Sequence, residues 1–116
     1  MVMRYDDIVI DRGSTVPRLQ FRFLLDGTGS EWRLTLLPSR GERIELSTED
    51  STLTATVATV DGVTTTTVTW ARTVEQSRLI PSGALTSYEL EQIEPGGGQR
   101  LCLEGIIKGQ GGLNDD

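Results

Sequence analysis

The stretch Thr52–Ala71 reads TLTATVATVDGVTTTTVTWA, and its reading decides the fold. Asp61-Gly62 between two alternating runs is the signature of a two-residue type I′ hairpin, because both turn positions need a positive φ. If Val60 pairs with Val63, the register follows by counting outward. Leu53 then faces Trp70, Ala55 faces Val68 and Val57 faces Thr66 on one side of the ribbon. Thr54 faces Thr69 and Thr56 faces Thr67 on the other. The pairing sorts apolar from hydroxyl side chains, as a sheet with one buried face requires, so Ala55 and Val57 are expected to point inward.

The same period of two recurs on either side. Ile8, Val9 and Ile10 make a short first strand. Leu19, Phe21, Phe23 and Leu25 alternate with Arg18, Gln20, Arg22 and Leu24. Trp32, Leu34 and Leu36 alternate with Arg33 and Thr35, and Ile44 and Leu46 follow among Glu42, Arg43 and Glu45. Asp26–Ser30 and Pro38–Gly41 read as the turns between them. Thr73-Val74-Glu75-Gln76 has the form of a capping box, and Pro81 limits the helix behind it to one or two turns. Thr86, Tyr88 and Leu90 then alternate with Ser87, Glu89 and Glu91. Pro95–Gly98 is a loose hairpin loop, and Leu101, Leu103, Gly105 and Ile107 make the final strand.

This string of about eight short strands and one helical turn predicts an all-β fold. The expected architecture is a two-layer antiparallel β-sandwich, immunoglobulin-like, with one short helical crossover; a barrel is the runner-up. The 116 residues suffice for a single domain over 1–116, with its core from about residue 7 to residue 108 and a flexible tail over 109–116.

Composition removes several functions. The net charge is −6 and no arginine stripe exists, which argues against phosphate neutralisation and hence nucleic acid as a partner. No segment approaches membrane-spanning length, and the first residues lack the apolar stretch of a signal peptide, so a non-secreted, membrane-free protein is expected. Histidine is absent, which excludes Ser-His and Cys-His machinery. Cys102 is the sole cysteine and sits between two leucines in a strand pattern, a small strand residue rather than a catalytic thiol.

Other candidate sites have plainer readings. Asp26-Gly27-Thr28-Gly29 departs from an aspartic-protease loop, which needs the hydroxyl residue directly after the aspartate, so a turn is expected. Glu89, Glu91 and Glu94 form an acidic strip, and Glu89 with Glu91 could supply a glycosidase-like carboxylate pair in a cleft; a solvated strand face is the favoured reading. Trp32, Trp70 and Tyr88 fall on inward faces, as core rather than as a carbohydrate-stacking platform. No catalytic, cofactor-binding or metal-binding residue is assigned, and no cofactor is expected. The one functional surface proposed at this level is a polar docking face of Arg18, Gln20, Arg22 and Arg33, with Thr35, taken to lie on neighbouring strands.

Three segments carry a family resemblance. Leu79-Ile80-Pro81-Ser82-Gly83 runs into Thr86-Ser87-Tyr88-Glu89-Leu90-Glu91; Arg12-Gly13-Ser14-Thr15 precedes Leu19, Phe21 and Phe23; Leu103-Glu104-Gly105-Ile106-Ile107 follows the Pro95–Gly98 loop. Together, over residues 8–108, they resemble the small β-sandwich structural proteins of tailed phages and prophages, similar in outline to the amino-terminal domain of phage baseplate upper proteins. Trp32-Arg33-Leu34 stands where that pattern commonly has Asp-Leu-Thr. The resemblance implies a non-catalytic virion protein of tail, neck or baseplate, assembled in the host cytoplasm. Its implied partners are other virion structural proteins, with homo-oligomerisation into a ring. A carbohydrate- or cell-surface-binding adhesin-like module is the alternative. No site residue carries over from the family.

Overall fold

A computed structural model describes residues 3–4, 8–11, 18–81 and 85–110. Among these residues nine strands and one helix follow in chain order. They are β1 (Met3–Arg4), β2 (Ile8–Asp11), β3 (Leu19–Phe23), β4 (Glu31–Pro38), β5 (Ile44–Ser47), β6 (Thr54–Val60), β7 (Val63–Trp70), α1 (Val74–Arg78), β8 (Leu85–Ile93) and β9 (Gln99–Gln110).

The fold is the all-β sandwich that the alternation predicts. One layer runs β1-β9-β8-β4-β5, with β2 also on β9; the other runs β3-β7-β6. Apart from the pairing of β1 and β2, every ladder is antiparallel. Those two short strands lie parallel to β9, with Met3 opposite Leu103 and Ile8 opposite Ile107. This pairing corrects the expected tail. Gly109 and Gln110 are strand residues opposite Ile10 and Asp11, because an extended neighbour offers their backbone groups partners. Residues 111–116 lie outside the described residues, and so do Ser82 and Gly83 of the turn before β8.

The core forms where the two layers meet. Trp32, Leu34 and Leu36 of β4, and Tyr88 and Leu90 of β8, are buried at every second position. They meet Phe21 and Phe23 of β3 and Val68 and Trp70 of β7. Phe23 stacks on Trp32 at 5.4 Å between ring centroids, and Phe21 lies 6.0 Å from Tyr88. Each pair bridges the layers. Leu53 and Trp70 are both buried in this cluster, as the hairpin register requires.

The helix crosses from one layer to the other. Thr73 caps it: the Gln76 amide donates to Thr73 Oγ1 at 3.0 Å, and Thr73 N–H donates to Gln76 Oε1 at 2.9 Å. The same Oε1 accepts from Trp70 Nε1 at 3.2 Å, which ties the cap to the core. Ser77 and Ile80 are the buried residues of this turn.

Two departures from simple alternation follow from local geometry. In β9 the register shifts so that Leu90 faces Leu103 and Glu91 faces Leu101. Cys102 is the extra residue of this bulge and turns into the core. Beyond it, Tyr88 faces Gly105, and a Cβ there would come within 2.8 Å of the Tyr88 ring. The glycine is the space the tyrosine occupies.

The second departure is β6. Its register is the predicted one, from Thr54 opposite Thr69 to Val60 opposite Val63. Asp61 (φ 51°) and Gly62 (φ 79°) turn the chain with both φ positive, as type I′ requires. Yet all seven β6 residues are exposed, including Ala55 and Val57, which were expected to point into the core. Their side chains do lie on the inward side of the ribbon, with those of Val68 and Thr66. The opposite layer covers β7 but stops short of the edge strand, so the face is inward in direction and wet in fact.

Candidate docking surfaces

The predicted polar face divides in two. Arg18, Gln20 and Arg22 stand exposed on the outer side of β3. Arg33 stands exposed on β4, which belongs to the other layer. Consecutive strands β3 and β4 switch sheets, so Arg33 and Thr35 project from the opposite side of the sandwich. The expectation that they share a surface with Arg18, Gln20 and Arg22 is corrected accordingly.

On the outside of the three-stranded layer the rows run Gln20, Thr69, Thr54 and Arg22, Thr67, Thr56. Gln20 Nε2 donates to Thr69 Oγ1 at 3.3 Å. The surface is a hydroxyl lattice with two arginines at its β3 margin. It continues onto the end of the hairpin beyond the β3 pairing, where Val60 and Val63 are exposed.

On the outside of the larger layer the rows are Ser47, Arg33, Glu91 and Glu45, Thr35, Glu89, Glu104. Arg33 Nε donates to Glu31 at 2.6 Å, and Arg43 pairs with Glu45 at 3.1 Å. The Glu31 hydrogen bond, with charge from Glu31, Glu49 and Glu91, raises the Arg33 pKa. Two shallow depressions open here. One, of about 370 Å³, is lined by Arg33, Thr35, Arg43, Glu45, Asp50 and Glu91. The other, of about 170 Å³, is lined by Thr35, Leu37, Arg43, Ser87, Tyr88 and Glu89. Glu91 lines the first and Glu89 the second, and the two adjoin at Thr35 and Arg43.

The remaining candidates take their plainer roles. Asp26 accepts from Thr28 N–H at 3.0 Å and from Thr28 Oγ1 at 2.5 Å, an Asx turn that holds its carboxyl below the usual range. Asp50 does the same with Thr52. Trp32, Trp70 and Tyr88 are sealed in the core and offer no ring to a sugar. Cys102 is buried, which pushes its thiol pKa up, away from thiolate chemistry. Among the described residues, no three acidic, cysteine or histidine side chains gather as a metal site, and no helix is long and apolar enough to cross a membrane.

The surface that sequence reasoning missed is the free edge of β6. Among the described residues nothing pairs with β6 on the side away from β7. In a two-residue hairpin the pair flanking the turn is hydrogen-bonded, and such pairs alternate with non-bonded ones. Val60, Ala58, Thr56 and Thr54 therefore spend their backbone groups on β7. Those of Ala55, Val57 and Thr59 point outward. The strand has no charged residue and no proline, the devices that usually blunt an edge. Its composition signalled a strand, but edge position depends on how far the opposite layer reaches, and no residue of β6 encodes that.

No protein-family model matches the chain, and no curated protein does either.

Proposed function

We propose that this chain is a structural protein of a tailed-phage or prophage virion, acting in tail, neck or baseplate assembly by docking onto neighbouring proteins, without catalysis. The observation that carries the reading is the hairpin β6–β7. It runs beyond the last β3 pairing, Phe23 opposite Thr66, bears one charged side chain, Asp61, between Leu53 and Trp70, and among the described residues leaves one edge of β6 unpaired. Edges of this kind recruit strands from other chains through main-chain hydrogen bonds. The motif resemblance over residues 8–108 supplies the virion setting, and the polar outer faces of both layers supply further contact area.

The test is to follow the protein into particles. An epitope-tagged copy is expressed during lytic growth, and particles are purified on a density gradient. Co-migration with particles at a fixed copy number, together with tail-defective particles on deletion of the gene, is the expected outcome. Protein that stays in the soluble fraction, with normal particles formed in its absence, overturns the reading.

A further inference from the structure

The geometry points to a second copy of this chain as the occupant of the β6 edge: two β6 strands pair antiparallel about a twofold axis through Val57, joining two three-stranded layers into one six-stranded sheet. This deepens the assembly reading by naming the partner of that surface, and it rests on that reading for its biological setting only.

Three features select the second copy. The first is register. The outward backbone groups belong to Ala55, Val57 and Thr59, a set symmetric about Val57. Antiparallel pairing sets Val57 against its symmetry mate, and Ala55 against Thr59 in both directions. Each facing pair exchanges two hydrogen bonds, so every outward group finds a partner and none is left over. On the inward side of the ribbon, Val57 meets Val57, flanked by alanine–threonine pairs.

The second is charge. The chain carries −6 overall, which opposes self-association at most surfaces. From Leu53 to Trp70 the only charge is Asp61 at the tip. The antiparallel arrangement sends the two Asp61 side chains to opposite ends of the new ladder. Each lies four residues from the axis, so they stand roughly 25 Å apart at strand rise, well beyond the Debye length. A parallel arrangement would set them side by side.

The third is size. Six main-chain hydrogen bonds, at about one per 100–200 Å², correspond to roughly 600–1,200 Å² of buried surface. That lies at the low end for a specific interface and fits a reversible dimer whose contacts are then reinforced within a larger assembly.

The experiment uses the full chain, followed by sedimentation velocity and native mass spectrometry from about 1 μM to about 1 mM. Wild type is expected to pass from monomer to dimer within this range. Amide exchange of Ala55, Val57 and Thr59 should slow as concentration rises, while that of Ala58 and Thr56 stays constant. Val57→Pro removes an outward N–H that the hairpin does not use, and Val57→Lys places like charges on the axis. Each should weaken dimerisation at least about tenfold with the far-ultraviolet circular dichroism unchanged. Val57→Lys changes only an exposed side chain and keeps the test valid if the proline variant fails to fold. Arg22→Glu, on the opposite margin of the layer, should leave the dimer intact.

A wild-type monomer throughout the range overturns the inference, and so does a dimer that both Val57 variants leave unchanged. Protection of the three amides only when a different virion protein is added also overturns it, in favour of a foreign strand. A dimer absent from virions defeats the assembly reading alone. A virion component that stays monomeric defeats this inference alone.

Discussion

Val57 and Thr66 face each other across the hairpin, yet Thr66 is fully buried and Val57 is 40% exposed. On the same inward face the hydroxyl is sealed from water and the branched alkyl group is wetted, an inversion of the usual preference. Thr66 Oγ1 resolves it by donating to Leu25 O at 2.9 Å and accepting from Gly27 N–H at 2.9 Å. It holds down the loop that follows β3. Thr66→Val keeps the shape and strands both backbone groups, so it should cost about 1–3 kcal/mol. Val57→Thr should stay within about 0.5 kcal/mol in the monomer. Urea midpoints at dilute protein concentration check both.

Gln76 is the joint between helix and core, since its Oε1 serves both Thr73 N–H and Trp70 Nε1. Gln76→Ala leaves the buried indole N–H without its acceptor and should destabilise by about 1–3 kcal/mol. Thr73→Ala removes only the cap and should cost about 1 kcal/mol. Thermal melts of the two variants should keep this order, and the reverse order would show that the cap rather than the indole contact matters.

Gly105 and Tyr88 form a matched pair, with the ring in the space a Cβ would fill. Gly105→Ala should destabilise by about 1–3 kcal/mol through overpacking. In a double-mutant cycle with Tyr88→Ala, most of that cost should vanish, because the ring that the methyl group strikes is gone. Additive costs in the cycle would contradict the pairing.

Asp26 and Asp50 have carboxyl pKa values held down by hydrogen bonds from Thr28 and Thr52. A folded-state pKa below the unfolded value stabilises above the unfolded pKa, about 3.9, and this contribution is lost as pH falls through the folded value. Stability should therefore be level near neutrality and decline below about pH 4. Asp26→Asn with Asp50→Asn should flatten that acid limb, as read from urea midpoints between pH 2 and pH 7.

Cys102 sits in the bulge with its thiol pKa raised by burial. A thiol-specific reagent at mildly alkaline pH should label the folded protein slowly and the urea-unfolded protein at the rate of a free thiol. Rapid labelling of the native state would mean that the bulge opens.

Much of the fold was legible from side-chain period. Asp61-Gly62 set the hairpin register, and strands β4 and β8 bury the residues that alternation assigns. The capping box at Thr73 and the loose loop at Pro95–Gly98 needed only local chemistry. What stayed hidden was relational. Nothing in Arg33 shows that β4 lies in a different layer from β3, because a turn of seven residues serves a hairpin or a sheet switch equally well. Nothing in Ala55 or Val57 shows that the opposite layer ends before reaching them. Gly109 and Gln110 looked like the start of a tail because their partners are Ile10 and Asp11, about a hundred residues earlier. A docking face was sought among charged residues on outer faces, whereas the edge left unpaired among the described residues lies in a strand with no charge at all.

The parallel clasp of β1 and β2 onto β9 bears on how the chain matures. Both early strands have their ladder partner in Gln99–Gln110, the last strand described. At a synthesis rate of about 5–20 residues per second, they leave the ribosome several seconds before that partner exists. Until then Ile8–Asp11 is an unmatched sticky segment, while the hairpin can close locally within microseconds. The larger layer is therefore completed late, after the hairpin has closed, and a nascent chain halted before Gln99 should expose hydrophobic surface to chaperones that the finished protein keeps hidden.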